Sequence, residues 1–408
     1  MAIIKPFKGL RPNPALVEQV ASPPYDVLDR QQAQTLAQNN PHSFLHIIKP
    51  EIDLETDDPE QIYQQGRKAL EQFRQHYILL KEDSPCLYLY RQTMGEHEQT
   101  GFVGCVSVQE YKDQVIKKHE HTRPSKVQDR VQLISACKAQ TGPVFLSYRQ
   151  TDQLASLKHK LLDKCDKVYD FTSYNQVRHQ FYKIEEPFVR QAQNAFDPLP
   201  ALYIADGHHR SEAAAAYCDT QPDCGSGDQP YNYFLAVIFP ETELYIMAYN
   251  RVVKDLNGMN ADEFMQRLSK IFDVEPISVT FDGPGQKHQF GVYIKGSWHL
   301  LTVKSEQINP EDPVQSLDVA LLQQHVLTPI LGIDDPRTNP RIDFVGGISG
   351  TRELERRVDS GEHQVAFSLY PTSMQEIMQV ADAGKVMPPK STWFEPKLFS
   401  GMVTHLLE

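Results

Sequence analysis

No two of the six cysteines in this 408-residue chain are spaced as CxxC. Cys86, Cys105, Cys137, Cys165, Cys218 and Cys224 stand apart, so neither a zinc ribbon nor a thioredoxin-type site is suggested, and reduced thiols are expected. No apolar run approaches the roughly 20 residues that a membrane helix needs, and MAIIKPFKGL at the start has no core of signal-peptide length. A cytoplasmic protein without a membrane partner is expected. Positive charge is also scarce, 41 Lys and Arg against 53 Asp and Glu, for a net charge of -12. That balance argues against a nucleic-acid partner but leaves room for a local basic pocket. GxxxxGK[ST], a complete GxGxxG after a strand, HExxH and GxSxG are all missing. The P-loop, dinucleotide, zinc-protease and nucleophile-elbow readings fall with them.

What the chain has is concentrated in Pro200 to Cys218, PALYIADGHHRSEAAAAYC. Ala201 to Ala205 reads as a short buried strand, and Ser211 to Tyr217, with four consecutive alanines, as a helix. A strand that turns through glycine into a helix leaves the first helical amides without partners at the positive end of the dipole. Such a turn suits an anion. Gly207 admits close backbone approach, Arg210 can fork onto a phosphate or carboxylate, and His208 and His209 can donate. Asp206 adds a carboxylate that can accept a proton or hold a metal-bound water. A plain reading remains beside this one: Asp206 as a cap, Gly207 as a turn, His and Arg in solvent.

Other segments gather polar groups. In SPPYDV two prolines impose an extended path before Tyr25 and Asp26, which could line a pocket. Residues 116 to 148 carry His119, Glu120 and His121, then Thr122, Arg123, Lys126, Asp129 and Arg130, ahead of a helix anchored by Val131, Leu133, Ile134 and Cys137. His119 and His121 alternate onto one strand face but make only half a metal site. Asn250 and Arg251 end a strand, and Lys390, Ser391 and Thr392 occupy a Pro-Pro-Lys-Ser-Thr loop that could hold an anion.

The remaining pattern is scaffold. An amphipathic helix is expected over Asp57 to Leu80, and strands over Pro85 to Arg91 and Gly101 to Glu110, joined by a polar loop, TMGEHEQT. Cys218 to Asn232 reads as a mobile surface loop, and Tyr233 to Pro240 as a buried strand. Composition changes near Asp255, which divides the chain into 1–254, carrying DGHHR, and a 255–408 α+β accessory module whose MPPKST loop could return to the site. In that module a hairpin is expected at Phe290 to Val303, and Ser373 with Glu376 has capping-box spacing.

Taken together, SPPYDV, HEHT followed by DR, DGHHR, YNRVV and MPPKSTWFEPK resemble the prokaryotic family known as domain of unknown function 1015, over essentially the whole chain. The DGHHR turn is also similar to the phosphate-binding turn of the ParB and sulfiredoxin superfamily, in which free-serine kinases carry a similar Asp-Gly-His turn. The fold that this resemblance implies is α+β, a mixed-sheet ParB/sulfiredoxin-like core with an additional α+β module. It implies that Gly207, His208, His209 and Arg210 hold phosphate, and Lys390 is a candidate for the second wall of that phosphate pocket. Asp206 or Glu120 would accept a hydroxyl proton, and Mg2+ with ATP or ADP would serve as cofactor. No tightly bound organic cofactor is expected. Tyr25, Asp26, His119, Thr122, Arg123, Asn250, Arg251, Ser391 and Thr392 would form the substrate pocket. The expected function is phosphoryl transfer from a nucleotide to a small hydroxyl compound, serine-like. Two alternatives stay open. One is metal-assisted hydrolysis by His119, His121, His208, His209, Asp206 and Glu120; the other is binding of nucleotide or metabolite without turnover.

Overall fold

The computed structural model describes residues 2–278 and 280–408, and the chain divides into two compact units. The first comprises Met1–Leu244 with Pro396–Glu408, and the second Tyr245–Glu395. The change of unit thus falls ten residues before the compositional change near Asp255, and the last thirteen residues belong to the first unit rather than to the second.

The first unit is built on an eight-stranded mixed sheet. Its strands lie in the order Ile116–Lys117, Leu202–Asp206, Val144–Tyr148, Tyr233–Pro240, His97–Ser107, Leu87–Met94, Val177–Ile184 and Asp166–Thr172. Leu202–Asp206 runs parallel to Ile116–Lys117, and Tyr233–Pro240 parallel to Val144–Tyr148; the other pairs are antiparallel. The hairpin between Leu87 and Ser107 is tighter than TMGEHEQT suggests, because pairing continues to Met94 and His97 and only Gly95 and Glu96 turn. Gly95 has φ +59°, a conformation glycine adopts without a Cβ penalty. Helices Asp152–Lys164 and Phe188–Phe196 lay Leu154, Leu161, Ala192 and Phe196 on this sheet, all fully buried. Each such leucine or phenylalanine contributes about 1.5–3 kcal/mol of burial.

A second core gathers the helix Pro59–Gln75 through Ala69, Leu70 and Phe73. This helix is shorter than its amphipathic pattern: Tyr77 takes φ +56°, and Leu79–Lys81 leaves as a strand that pairs with Leu10–Pro12. The helix Pro124–Cys137 serves two cores. Leu133 and Cys137 face the helix Pro59–Gln75, while Val131 and Ile134 pack with Ala213 and Tyr217 of the helix His208–Asp219. The alanine run therefore does more than favour helix. Small side chains let the helix that follows HEHT lie close against the helix that follows DG.

Two of the six thiols are not reduced: Cys218 and Cys224 form a disulfide with Cα atoms 5.2 Å apart. Their separation of six residues has no redox-motif spacing, but the chain doubles back after the helix, with Gln221 N donating to the Cys218 carbonyl at 2.8 Å. Asn232 gathers the same segment, accepting from Gly225 N at 2.8 Å and donating to the Ser226 carbonyl at 2.7 Å. The stretch expected to be mobile is tied at both ends.

The second unit is an antiparallel six-stranded sheet with helices Ala261–Leu268, Gly350–Asp359 and Met374–Asp382. The hairpin Gln289–Ile294 to Ser297–Val303 turns at Lys295 and Gly296, and Ser373 and Glu376 form a capping box. The observed class is α+β with mixed sheets. Among the described residues, no helix is long and apolar enough to cross a membrane.

Candidate functional site

The strand Leu202–Asp206 ends at Asp206, and the helix begins at His208, three residues earlier than alanine propensity alone suggests. Both histidines and Arg210 therefore occupy the first helical turn. Gly207 is the N-cap with φ +96° and ψ 27°, and no side chain caps the helix. Asp206 is not the cap. Its Oδ1 accepts from Gly207 N at 2.8 Å, and its Oδ2 accepts from Lys397 Nζ at 3.1 Å. Burial alone would raise the Asp206 pKa, but the Lys397 ammonium and the Arg210 guanidinium hold it well below the usual carboxylate range.

Lys397 reaches Asp206 because the C-terminal segment is stitched into the first unit. Gln92 Nε2 donates to the Lys397 carbonyl at 2.9 Å, Ser22 and Ser400 exchange backbone hydrogen bonds at 3.0 and 2.8 Å, and His405–Leu406 pairs with Ala139–Gln140. Lys397 ends the MPPKSTWFEPK motif, and its partner is visible only in the fold, through the tail's pairing with Ala139–Gln140.

Arg210 folds back over its own helix start. A Cβ on Gly207 would stand 3.1 Å from Arg210 Nε, so glycine leaves the space that the guanidinium fills. Arg210 Nη1 donates to the Pro143 carbonyl, while its buried Nε has no hydrogen-bond partner. The histidines are engaged differently. His209 Nε2 accepts from Arg123 N at 3.0 Å, which fixes the proton of the neutral ring on Nδ1 and anchors the HEHTR loop on the helix. Burial lowers the His209 pKa, with Asp26 opposing and Arg123 and Lys126 adding to the effect.

His208 is buried and accepts from His119 N at a long 3.4 Å, and the two rings meet edge to face at 4.5 Å. Burial pushes His119 down to about 4 and His208 well below its ordinary value, so both rings are neutral. Both ring nitrogens of His119 lack hydrogen-bond partners. Glu120, with a side chain 41 % exposed, stands 3.9 Å from His208 Nδ1. Tyr25 begins a single turn, Tyr25–Val27, and its ring lies 3.9 Å from the Arg130 guanidinium. Burial raises the Tyr25 hydroxyl to about 12, against the opposing charge of Arg130. Asp26 and Arg123 are exposed, and Thr122 is half-buried.

The other expected site residues belong to the second unit, where most serve as local ties. Asn250 Oδ1 accepts from Leu369 N at 3.0 Å, and Arg251 Nη2 donates to the Lys390 carbonyl at 2.9 Å. Ser391 Oγ donates to the Pro388 carbonyl at 2.6 Å, and Lys390 Nζ lies 5.3 Å from the Tyr249 ring centroid. Thr392 is half-buried beside them in the chain. His121 is exposed, and among the described residues no three His, Cys, Asp or Glu side chains come together as a metal set.

The residues present fit an anion at the helix start: amides without a side-chain cap, an orphan guanidinium donor laid over Gly207, and a lysine. Divalent metal suits the same place only as a companion of phosphate oxygens, since both Asp206 oxygens are already engaged.

The first unit is thus an α+β module whose mixed sheet presents an uncapped helix start among basic side chains. The chain belongs to the family described as "Protein of unknown function (DUF1015)", whose model matches residues 4–320, as its motifs imply. No curated protein matches the chain. Among solved structures, a free serine kinase in complex with AMP is similar over 72 % of this chain and 86 % of its own, at 12 % identity and a TM-score of 0.36. SbnI with a C-terminal truncation, from Staphylococcus aureus, is similar over 72 % and 84 %, at 12 % identity and a TM-score of 0.39. A conserved hypothetical protein from Pyrococcus furiosus covers 72 % and 90 %, at 12 % identity and a TM-score of 0.34. Likeness at this level carries no inference about activity.

Proposed function

We propose that the turn Asp206–Arg210 holds the phosphates of a nucleotide, ATP or ADP with Mg2+, and that the protein transfers a phosphoryl group to a small, serine-like hydroxyl compound. The observation that carries this reading is the uncapped helix start at Gly207, flanked by Arg210 and Lys397. Phosphoryl transfer asks the protein mainly for positioning and charge stabilisation. The first-turn amides and Arg210 neutralise phosphate oxygens, and Lys397 supplies a second cation. Mg2+ supplies further charge neutralisation when bound.

Asp206 is held ionised by two cations and is a weak base, so its role is to orient the Gly207 amide and Lys397. Proton acceptance from the hydroxyl falls to Glu120, which is accessible to solvent. A thermal-shift series with ATP, ADP and AMP, with and without Mg2+, tests the reading. A nucleotide at 100 times its Kd should add about 2.7 kcal/mol of stability. The absence of any shift would overturn it.

A further inference from the structure

Gln92 and Gln99 face each other across the hairpin of Leu87–Met94 and His97–Ser107, and both side chains are fully buried. Leucine or methionine would fill such a place with no polar atom to satisfy, so two amides there need partners. Their orientation follows from one end of the chain of contacts. The Lys397 carbonyl can only accept, so the group 2.9 Å from it is the Gln92 Nε2 amide. That turns Gln92 Oε1 toward Gln99, whose Nε2 donates to it at 3.0 Å. Two successive donations thus run from the sheet to the tail, Gln99 to Gln92 to the Lys397 backbone, each polarising the next.

These donations meet the tail ahead of its ladder contacts. The backbone exchange of Ser400 with Ser22, that of Thr404 with Leu10 and the strand His405–Leu406 all lie beyond Lys397. A lysine ammonium sits on a long flexible stem, so it is placed only as well as the backbone that carries it. A small displacement there would move it off Asp206, which it now meets at 3.1 Å. We infer that Gln92, backed by Gln99, is the positioning residue for Lys397: it holds the lysine backbone so that the ammonium stands at the helix start. The inference rests on the phosphotransferase reading and deepens it, extending the anion site to two side chains that act through the lysine without touching a ligand.

The test is a double-variant cycle on ADP with Mg2+, read by isothermal titration in Gln92→Met, Lys397→Met and the two combined. Gln92→Met keeps the bulk but removes the donor, and should weaken ADP about five- to tenfold. The combined variant should be no weaker than Lys397→Met alone, because the glutamine acts only through the lysine. Gln99→Met, which removes the second amide, should give a smaller loss, about two- to threefold. A second readout needs no nucleotide. Acetylation by acetic anhydride, mapped by mass spectrometry, should label Lys397 roughly threefold faster in Gln92→Met, as the ammonium leaves its carboxylate partner. A glutamine that merely supports the fold would lower the melting temperature and change neither reading. Unchanged ADP affinity and Lys397 labelling in folded Gln92→Met, losses that add in the combined variant, or collapse of both glutamine variants would overturn the inference. Failure of the unmodified protein to bind ADP would instead overturn the phosphotransferase reading, and the acetylation rates would still decide the role of Gln92.

Discussion

Lys397 Nζ lies 3.1 Å from Asp206 Oδ2, across 191 residues of sequence, and this pair joins the C-terminal tail to the turn that begins the helix His208–Asp219. The side chains are 19 % and 28 % exposed, so the pair is partly screened and worth less than a fully buried one.

Lys397→Met is expected to lower stability by about 1–3 kcal/mol at pH 7, measured by urea unfolding. The Asp206 pKa in the folded protein lies below its unfolded value, so the contribution is present above about pH 4 and is lost as pH falls further. The difference between variant and parent should therefore shrink toward pH 3. An equal loss at both pH values would show that the lysine acts through packing alone.

Gly207→Ala should cost about 1–2 kcal/mol, because φ +96° is strained for an L-residue. The new methyl would also stand 3.1 Å from Arg210 Nε and push the guanidinium aside. Nucleotide binding should fall more steeply than stability. Unchanged binding would separate the turn from the ligand.

The disulfide predicts thiol chemistry that composition alone did not. Denatured without reductant, the protein should show four reactive thiols, Cys86, Cys105, Cys137 and Cys165. Replacing Cys218 and Cys224 together by serine should cost roughly 2 kcal/mol, the loop-closure value for so short a ring. Six reactive thiols would remove the bond from the account.

In the second unit, Asp318 is buried and its pKa is pushed up to about 7, chiefly by burial, although the His288 amide donates to it at 3.0 Å. The folded value lies above the unfolded one. This site therefore favours the fold at low pH and loses that advantage as pH rises from about 4 through 7. Asp318→Asn should gain about 1–3 kcal/mol relative to the parent between pH 5 and pH 8.5. A difference that does not change with pH would contradict this.

Much of the first unit was legible in the sequence because its elements are locally determined. Tyr233–Pro240 is an uninterrupted apolar run and reads directly as a buried strand, and the DG turn between a strand and an alanine-rich helix announces itself. The helix starts three residues before the alanine-rich stretch because propensity says little about His208 and His209, whose partners, the amides of His119 and Arg123, lie in a distant loop. Lys397 and the Arg130–Tyr25 stack were invisible as partners for a like reason. Each depends on chain segments more than a hundred residues apart, and no local pattern encodes such a meeting. Asn250 and Arg251 show the converse, since polar residues at a strand end can be spent on backbone ties.

Isothermal titration of ADP and ATP with Mg2+ into the protein and into Arg210→Ala tests the central claim most directly. Saturable binding to the parent, lost or weakened at least tenfold in a variant that keeps its melting transition, is the predicted result. Equal affinity in a folded Arg210→Ala protein would contradict the assignment of the Asp206–Arg210 turn to nucleotide phosphate.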